Sequence, residues 1–175
     1  TAWCHPVLYQ RIMKAKEQRD LFVVVIDPRF TSTCEAADLH LPILPGQDVA
    51  LFNGLLQYLS KNGHADQAFI TEHTQGLAQA LVQSESESCI ENVATRTGIS
   101  VEKLQIFYEK FANTSKVMTL FSMGVNQSSQ GVNKANSITN CHLLTGKIGK
   151  LGTAPFSVTG QPNAMGGREV GGLAN

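Results

Sequence analysis

The apolar positions of this chain switch between two spacings, one that fits helices and one that fits strands. Pro6 suits a first helical turn, and Val7, Leu8, Ile12 and Met13 recur at helical spacing, which predicts a helix from Pro6 to Gln18. Leu21 to Ile26 is an unbroken apolar, β-branched run, the pattern of a strand buried on both faces of a parallel sheet. His40 to Leu44 reads as a second, weaker strand. Pro45-Gly46-Gln47-Asp48 then forms a turn whose aspartate is expected to cap a helix over Val49 to Asn62, with Gly63 as its stop. From Asp66 to Asn113 the pattern is helical. Leu77, Ala78, Leu81 and Val82 are expected on one face, and Ser100 with Glu102 opens a further helix ending near Phe111. Lys116 to Met123 is the strongest remaining strand and runs into a glycine-containing turn, Met123-Gly124-Val125-Asn126-Gln127. Lys134 to Thr145 reads as a helix. From Gly146 onward glycine and proline are too frequent for regular structure, so an ordered loop is expected. Together these elements predict an α/β chain with a parallel sheet flanked by helices.

Composition narrows the partners. At 175 residues, 42% hydrophobic and 16% charged, the chain holds enough apolar mass for one core, and one globular domain is expected. Fourteen basic and fourteen acidic residues cancel, so no net field draws nucleic acid or anionic lipid. No apolar stretch approaches the roughly 20 residues of a membrane span, and the start does not resemble a signal peptide. A soluble, cytoplasmic protein with neither nucleic-acid nor membrane partners is the expectation. Cys4, Cys34, Cys89 and Cys141 form no C-x-x-C pair, which reads as free thiols in a reducing compartment. The chain opens at Thr1 without methionine and stops at Asn175 without a tail, the look of an internal piece cut at both ends.

Three local patterns bear on chemistry. Val93 to Leu104 resembles a helix-turn-helix with Gly98 in the turn, but its second helix mixes Glu102 and Glu109 with Lys103 and Lys110, whereas a DNA reader brings a basic face to phosphate. A helical hairpin packed on a sheet is the expected reading. Cys4-His5 and Cys141-His142 are adjacent pairs, and neighbours in sequence do not share a helical face as metal ligands at i, i+3 or i, i+4 do. Finally, polar or glycine-containing turns follow both strong strands, at Asp27 to Thr31 and Gly124 to Gln127. Ligands of open parallel sheets bind outside the carboxyl ends of strands, although such turns also serve as plain connectors.

The run Val24-Val25-Ile26-Asp27-Pro28-Arg29, then Ala37-Asp38 and Leu44-Pro45-Gly46-Gln47-Asp48, resembles the molybdopterin oxidoreductase superfamily. Ser122-Met123-Gly124-Val125-Asn126-Gln127, Thr145-Gly146-Lys147-Ile148-Gly149 and the run from Thr159 through Gln161-Pro162-Asn163-Ala164-Met165-Gly166-Gly167-Arg168 to Gly171 are similar to its assimilatory and periplasmic nitrate reductase branch. The resemblance spans the whole chain. Formate dehydrogenases are similar, but usually carry Gln-His where this chain has Gln127-Ser128, and lack the run ending in Arg168. The serines after Gln127, with Gln130, look more like the cytoplasmic assimilatory type.

The resemblance implies a Rossmann-like domain over residues 1–145, incomplete at its N-terminal strand, that binds molybdopterin guanine dinucleotide. It implies that residues 146–175 line the active-site pocket. Thr1, Ala2, Trp3 and Cys4 match the end of a loop that meets the cofactor's pyrophosphate. Asp27, Pro28, Arg29, Phe30 and Thr31 match a turn around the guanosine end. Gly46, Gln47 and Asp48 match a second guanosine contact, and a carboxylate suits guanine because it accepts two adjacent N–H donors together. Asp48 also reads as a helix cap, and both roles are compatible. Met123 and Gln127 match positions beside the pterin and metal, with plain core packing as the other reading of Met123. Gln161 and Arg168 match the polar lining of the substrate pocket, and a guanidinium fork suits nitrate, a flat delocalised anion. A surface salt bridge is the other reading of Arg168.

The implied reaction is oxygen-atom transfer from nitrate to molybdenum, with electrons from a donor protein or domain arriving through an iron–sulfur cluster. The implied metal-binding cysteine and the cluster cysteines lie upstream in the family, so none of the four cysteines here is expected to ligate either. The chain is expected to act only with the remainder of its parent polypeptide and to be inactive alone. The alternatives are a formate dehydrogenase-like enzyme and a non-catalytic dinucleotide-binding module. A missing first strand also predicts exposed strand edges and apolar surface, hence aggregation or oligomerisation.

Overall fold

The structure is a computed structural model and describes residues 1–158, 160 and 169–171. Its centre is a helix buried nearly all round. This is α2, Asp48–Lys61, in which Ala50, Leu51, Phe52, Gly54, Leu55, Leu56, Gln57 and Leu59 are all buried. A helix apolar on every side belongs inside a core. It packs along α8, Gly131–Leu144, and against a hairpin of α5, Ile90–Thr97, and α6, Val101–Asn113.

The hairpin has local causes. Gly98 takes φ +72°, a left-handed conformation that ends α5 at little cost to glycine, and Ser100 Oγ accepts the Lys103 N–H at the start of α6. Leu104, Phe107, Tyr108 and Phe111 then face inward at helical spacing. Between α2 and this hairpin lie α3, Gln67–His73, and α4, Leu77–Gln83, followed by a single 3₁₀ turn at Glu85–Glu87. Leu77, Ala80 and Leu81 pack on the core, whereas Ala78 and Val82, expected on the same face, point to solvent. The chosen face is the 77, 80, 81, 84 row, one that places Ser84 Oγ beside Gln57 Nε2 at 2.8 Å.

The strands are parallel, as expected, but the described residues form two separate pairs rather than one sheet. β1, Val24–Ile26, pairs with β2, Leu39–Leu41, in the register Val24 to Leu39. β3, Met118–Phe121, pairs with β4, Ala154–Ser157, in the register Met118 to Ala154. The β1 region, expected to be buried on both faces, is not: Leu21 and Phe22 are exposed and Val23 to Ile26 are half-buried, because β2 is the only strand paired with it among the described residues. β4 lies in the segment expected to be all loop. Its Pro155 brings no N–H to the ladder, yet strand pairing tolerates proline at an edge, and there β4 sits. The turn expected at Met123–Gln127 is instead a short helix, α7, Met123–Asn126.

The first helix, α1, Pro6–Gln18, has no buried residue. Leu8, Tyr9, Ile12 and Met13 are half-buried, whereas Val7, expected with them, is exposed. Lys16 anchors it, with Nζ 2.8 Å from Asp38 Oδ1 and 2.7 Å from the Ala36 carbonyl. No helix of the described residues is long and apolar enough to cross a membrane.

Candidate cofactor site at the carboxyl ends of the strands

The segment after β1 folds on itself. Asp27 Oδ1 accepts the Arg29 N–H at 2.8 Å, an Asx turn that reverses the chain as it leaves the strand. The Asp27 carbonyl lies 2.9 Å from His40 Nε2, and the His40 ring meets the edge of Phe30 at 5.5 Å. Phe30 itself stays 69% exposed. Cys34 closes the loop, its N–H on the Thr31 carbonyl and its Sγ 3.6 Å from the Arg29 carbonyl. The opening residues lie on this loop. The Thr1 amine and the Ala2 N–H both donate to Thr33 Oγ1 at 3.1 Å, and Trp3 Nε1 reaches Ser32 Oγ at 3.4 Å. Thr1 to Cys4 and Asp27 to Thr31, predicted as separate contacts, thus form one surface that carries the exposed rings of Trp3 and Phe30.

The segment after β2 makes the second part. The Gln47 N–H closes a turn on the Leu44 carbonyl, and Gly46 sits in it at φ +86° with open space where a Cβ would point. Asp48 begins α2 but does not cap it. Its Oδ2 lies 2.7 Å from Lys134 Nζ, so the expected capping bond is replaced by an ion pair, while the charge still faces the positive end of the helix.

Lys134 is the residue that the sequence reading missed. It occupies the inner face of α8 with Gly131, Ser137, Ile138 and Cys141, is 5% exposed, and also donates to the Gly124 carbonyl at 3.2 Å. One ammonium thereby ties the start of α2 to the turn after β3. The available signal was its register: a lysine three residues before Ser137 and seven before Cys141 falls on the buried row. Helical spacing places it there, but nothing local names its partners.

The third part follows β3. Carbonyl oxygen of Ser122 accepts the Val125 and Asn126 N–H groups, whereas its buried hydroxyl has no partner among the described residues. Met123 is 40% exposed and lies against Gly160, where a Cβ would stand 2.6 Å from the methionine side chain. Gln127 is exposed, its backbone N–H on the Met123 carbonyl. Asn126 Nδ2 bonds Ser157 Oγ at 3.0 Å, fixing α7 to the end of β4. Gln161 and Arg168 lie outside the described residues.

The structure therefore joins the predicted residues through two links. β1 and β2 are one parallel pair, so the Asp27 and Gly46 segments leave by the same end, and Lys134 connects Asp48 to Gly124. Among the described residues no hydrogen bond joins Thr1–Cys4 directly to Ser122–Gln127. A buried hydroxyl without a partner among the described residues, glycines open at Gly46 and Gly124, and an ion-paired carboxylate that does not cap its helix fit a large polar cofactor. Exposed aromatic and thioether side chains supply the apolar contacts such a cofactor also needs. The adjacent Cys141 and His142 point to different partners. Cys141 Sγ lies 3.2 Å from the Phe52 carbonyl, and burial pushes its thiol far up. His142 bridges Thr119 Oγ1 at 2.8 Å and the Lys147 carbonyl at 2.8 Å, and burial holds it below its usual range.

Residues 1–174 match the family model described as Molybdopterin oxidoreductase. A nitrate reductase of Shewanella frigidimarina is 50% identical over 175 residues, which cover 99% of this chain and 19% of the relative. A formate dehydrogenase subunit alpha of Methanococcus maripaludis is 33% identical over 171 residues, 98% of this chain and 25% of the relative. Acetylene hydratase from Pelobacter acetylenicus shares the fold with a TM-score of 0.74 at 22% identity, over 82% of this chain and 20% of that one. The chain spans between 19% and 25% of the length of these curated relatives.

Proposed function

This chain belongs to the molybdopterin oxidoreductase family, and on that premise we propose that it is part of the catalytic subunit of a molybdenum-dependent nitrate reductase. The observation that carries the reading is the 50% identity to a nitrate reductase along the whole chain, against 33% to a formate dehydrogenase. Residues 1–145 grip a molybdopterin guanine dinucleotide and residues 146–175 form part of the pocket wall. When bound, that cofactor supplies the two-electron chemistry that converts nitrate to nitrite.

The chain's own residues bind and orient. The Asp27–Thr31 turn and the Thr1–Cys4 segment above it hold the phosphates and guanosine, and Phe30 and Trp3 offer aromatic faces. Gly46 lets the backbone approach closely, since its φ of +86° disfavours any residue with a Cβ and the space in the Cβ direction is left open. Asp48 accepts the N1–H and 2-amino donors of guanine. Met123 and Gln127 flank the pterin end, and the Ser122 hydroxyl, which has no partner among the described residues, donates its hydrogen there. Gln161 and Arg168 bind nitrate, the guanidinium as a permanent fork for two of its oxygens. Electrons come from a donor protein or domain through an iron–sulfur cluster held by the rest of the polypeptide, in the cytoplasm.

The test uses the full-length protein with reduced viologen as donor. Arg168→Ala is expected to lower nitrate turnover by about 100-fold or more at unchanged molybdenum content, in line with loss of a charge-assisted contact in a dry site. Unchanged turnover would remove Arg168 from the pocket.

A further inference from the structure

The Asp48 carboxylate is the acidic group of the Gly46–Asp48 segment in the proposed guanosine contact, and it does not stand alone. Lys134 Nζ is 2.7 Å from its Oδ2 and 3.2 Å from the Gly124 carbonyl. The lysine is nearly fully buried, and the carboxylate is mostly buried too. Burying an ammonium costs several kcal/mol unless paired, so an apolar residue on this inner row of α8 would pack at lower cost. The lysine therefore has to be explained by what it holds.

What it holds are two of the turns through which the proposed cofactor contacts run, at the head of α2 and after β3. A carboxylate has lone pairs for about four donors, and Lys134 takes one of them on one oxygen. Among the described residues, the remaining positions on both oxygens stay available to two further donors. An ammonium fixed by the Gly124 carbonyl and by the walls of α8 also fixes the rotation of the carboxylate it binds, which is the condition for a carboxylate to accept two adjacent N–H groups of one base at once.

We propose that Lys134 is a specificity-determining positioning residue, which orients Asp48 for two-point recognition of guanine and couples that recognition to the turn after β3. The proposal rests on the reading of Asp48 as the guanine contact. It adds that selection of the base depends on a residue that does not touch it.

The experiment uses full-length protein made in cells that lack the pterin cofactor, with guanosine diphosphate and inosine diphosphate as probes. The inosine base keeps N1–H but lacks the 2-amino group, so the ratio of the two affinities reads the second donor alone. Wild type is expected to prefer guanosine diphosphate by about 10-fold or more, the worth of one hydrogen bond to a charged group. Lys134→Met and Lys134→Gln are expected to bring the ratio within about 3-fold of unity, and Lys134→Arg to restore most of it. A lysine that only stabilised the fold would weaken both probes alike and leave the ratio intact, and that outcome overturns the proposal. Glutamine keeps a donor but not the charge, so it decides the matter where methionine fails to fold. Asp48→Asn separates the two levels: an altered ratio there with an unaltered ratio in both Lys134 variants sinks the lysine's role alone, whereas an unaltered ratio in Asp48→Asn overturns the guanine contact and the proposal together.

Discussion

At the scale of single residues, the informative positions are polar groups placed where apolar ones would cost less. Ser122 is one, its hydroxyl buried and unbonded among the described residues, at an expected cost of about 1–3 kcal/mol. Ser122→Ala removes that cost, so the thermal midpoint of the cofactor-free full-length protein should hold or rise, while the same variant takes up less cofactor. A variant that loses stability and keeps its cofactor would make the hydroxyl a structural group. His142 is a second. Burial lowers its pKa below the ordinary 6.5, so the folded chain holds the ring neutral while the unfolded chain charges it more readily. Its contribution is present above 6.5 and is lost as pH falls through the lowered folded value. The gap in thermal midpoint between wild type and His142→Gln should therefore narrow on acidification, which a melting series across that range measures. The sequence made Asp48 legible as chemistry but not its partner, because an ion pair between residues far apart in the chain leaves no periodic trace. Lys134 was missed for the same reason.

Elements were legible where periodicity was long. α1, α2, α6 and α8 were expected within a few residues of their observed ends, each marked by an apolar row and, for α1 and α6, by a proline or serine at its start. The short elements were not. β4 carries Pro155 and lies among glycines, and its strand character comes from pairing with β3 rather than from its own residues. α7 is a single turn set by the Ser122 carbonyl. Packing between elements supplies a sharper test. Gly54 sits where α2 crosses α5 and α6, and a Cβ there would stand 2.5 Å from Tyr108 Oη and 2.6 Å from Val93 Cγ2. Tyr108 is held in place by its bond to the Leu51 carbonyl at 2.9 Å. Gly54→Ala is expected to destabilise by about 1–3 kcal/mol despite the better helix propensity of alanine. A neutral or stabilising result by chemical denaturation would show that the helices separate at no cost.

At the scale of the molecule, the described surface carries exposed apolar side chains on several elements, and two groups of them lie by the strands. Trp3, Phe30, Leu44 and Met123 belong to the segments that follow the strands or lie on them, whereas Leu21 and Phe22 precede β1 at its other end. Strand pairs with free edges and exposed apolar neighbours favour self-association. Produced by itself, this chain is expected to form oligomers or aggregates by light scattering, and a well-behaved monomer would show that these surfaces need no cover. The relatives are four to five times longer, which agrees with a chain whose surfaces meet further polypeptide. The central claim concerns that longer protein. Its most direct test is turnover by the purified full-length enzyme with reduced viologen and nitrate, and with formate as the competing substrate under an oxidised acceptor. Nitrite formation without formate oxidation is the predicted result; formate oxidation, or neither reaction at full molybdenum content, would contradict it.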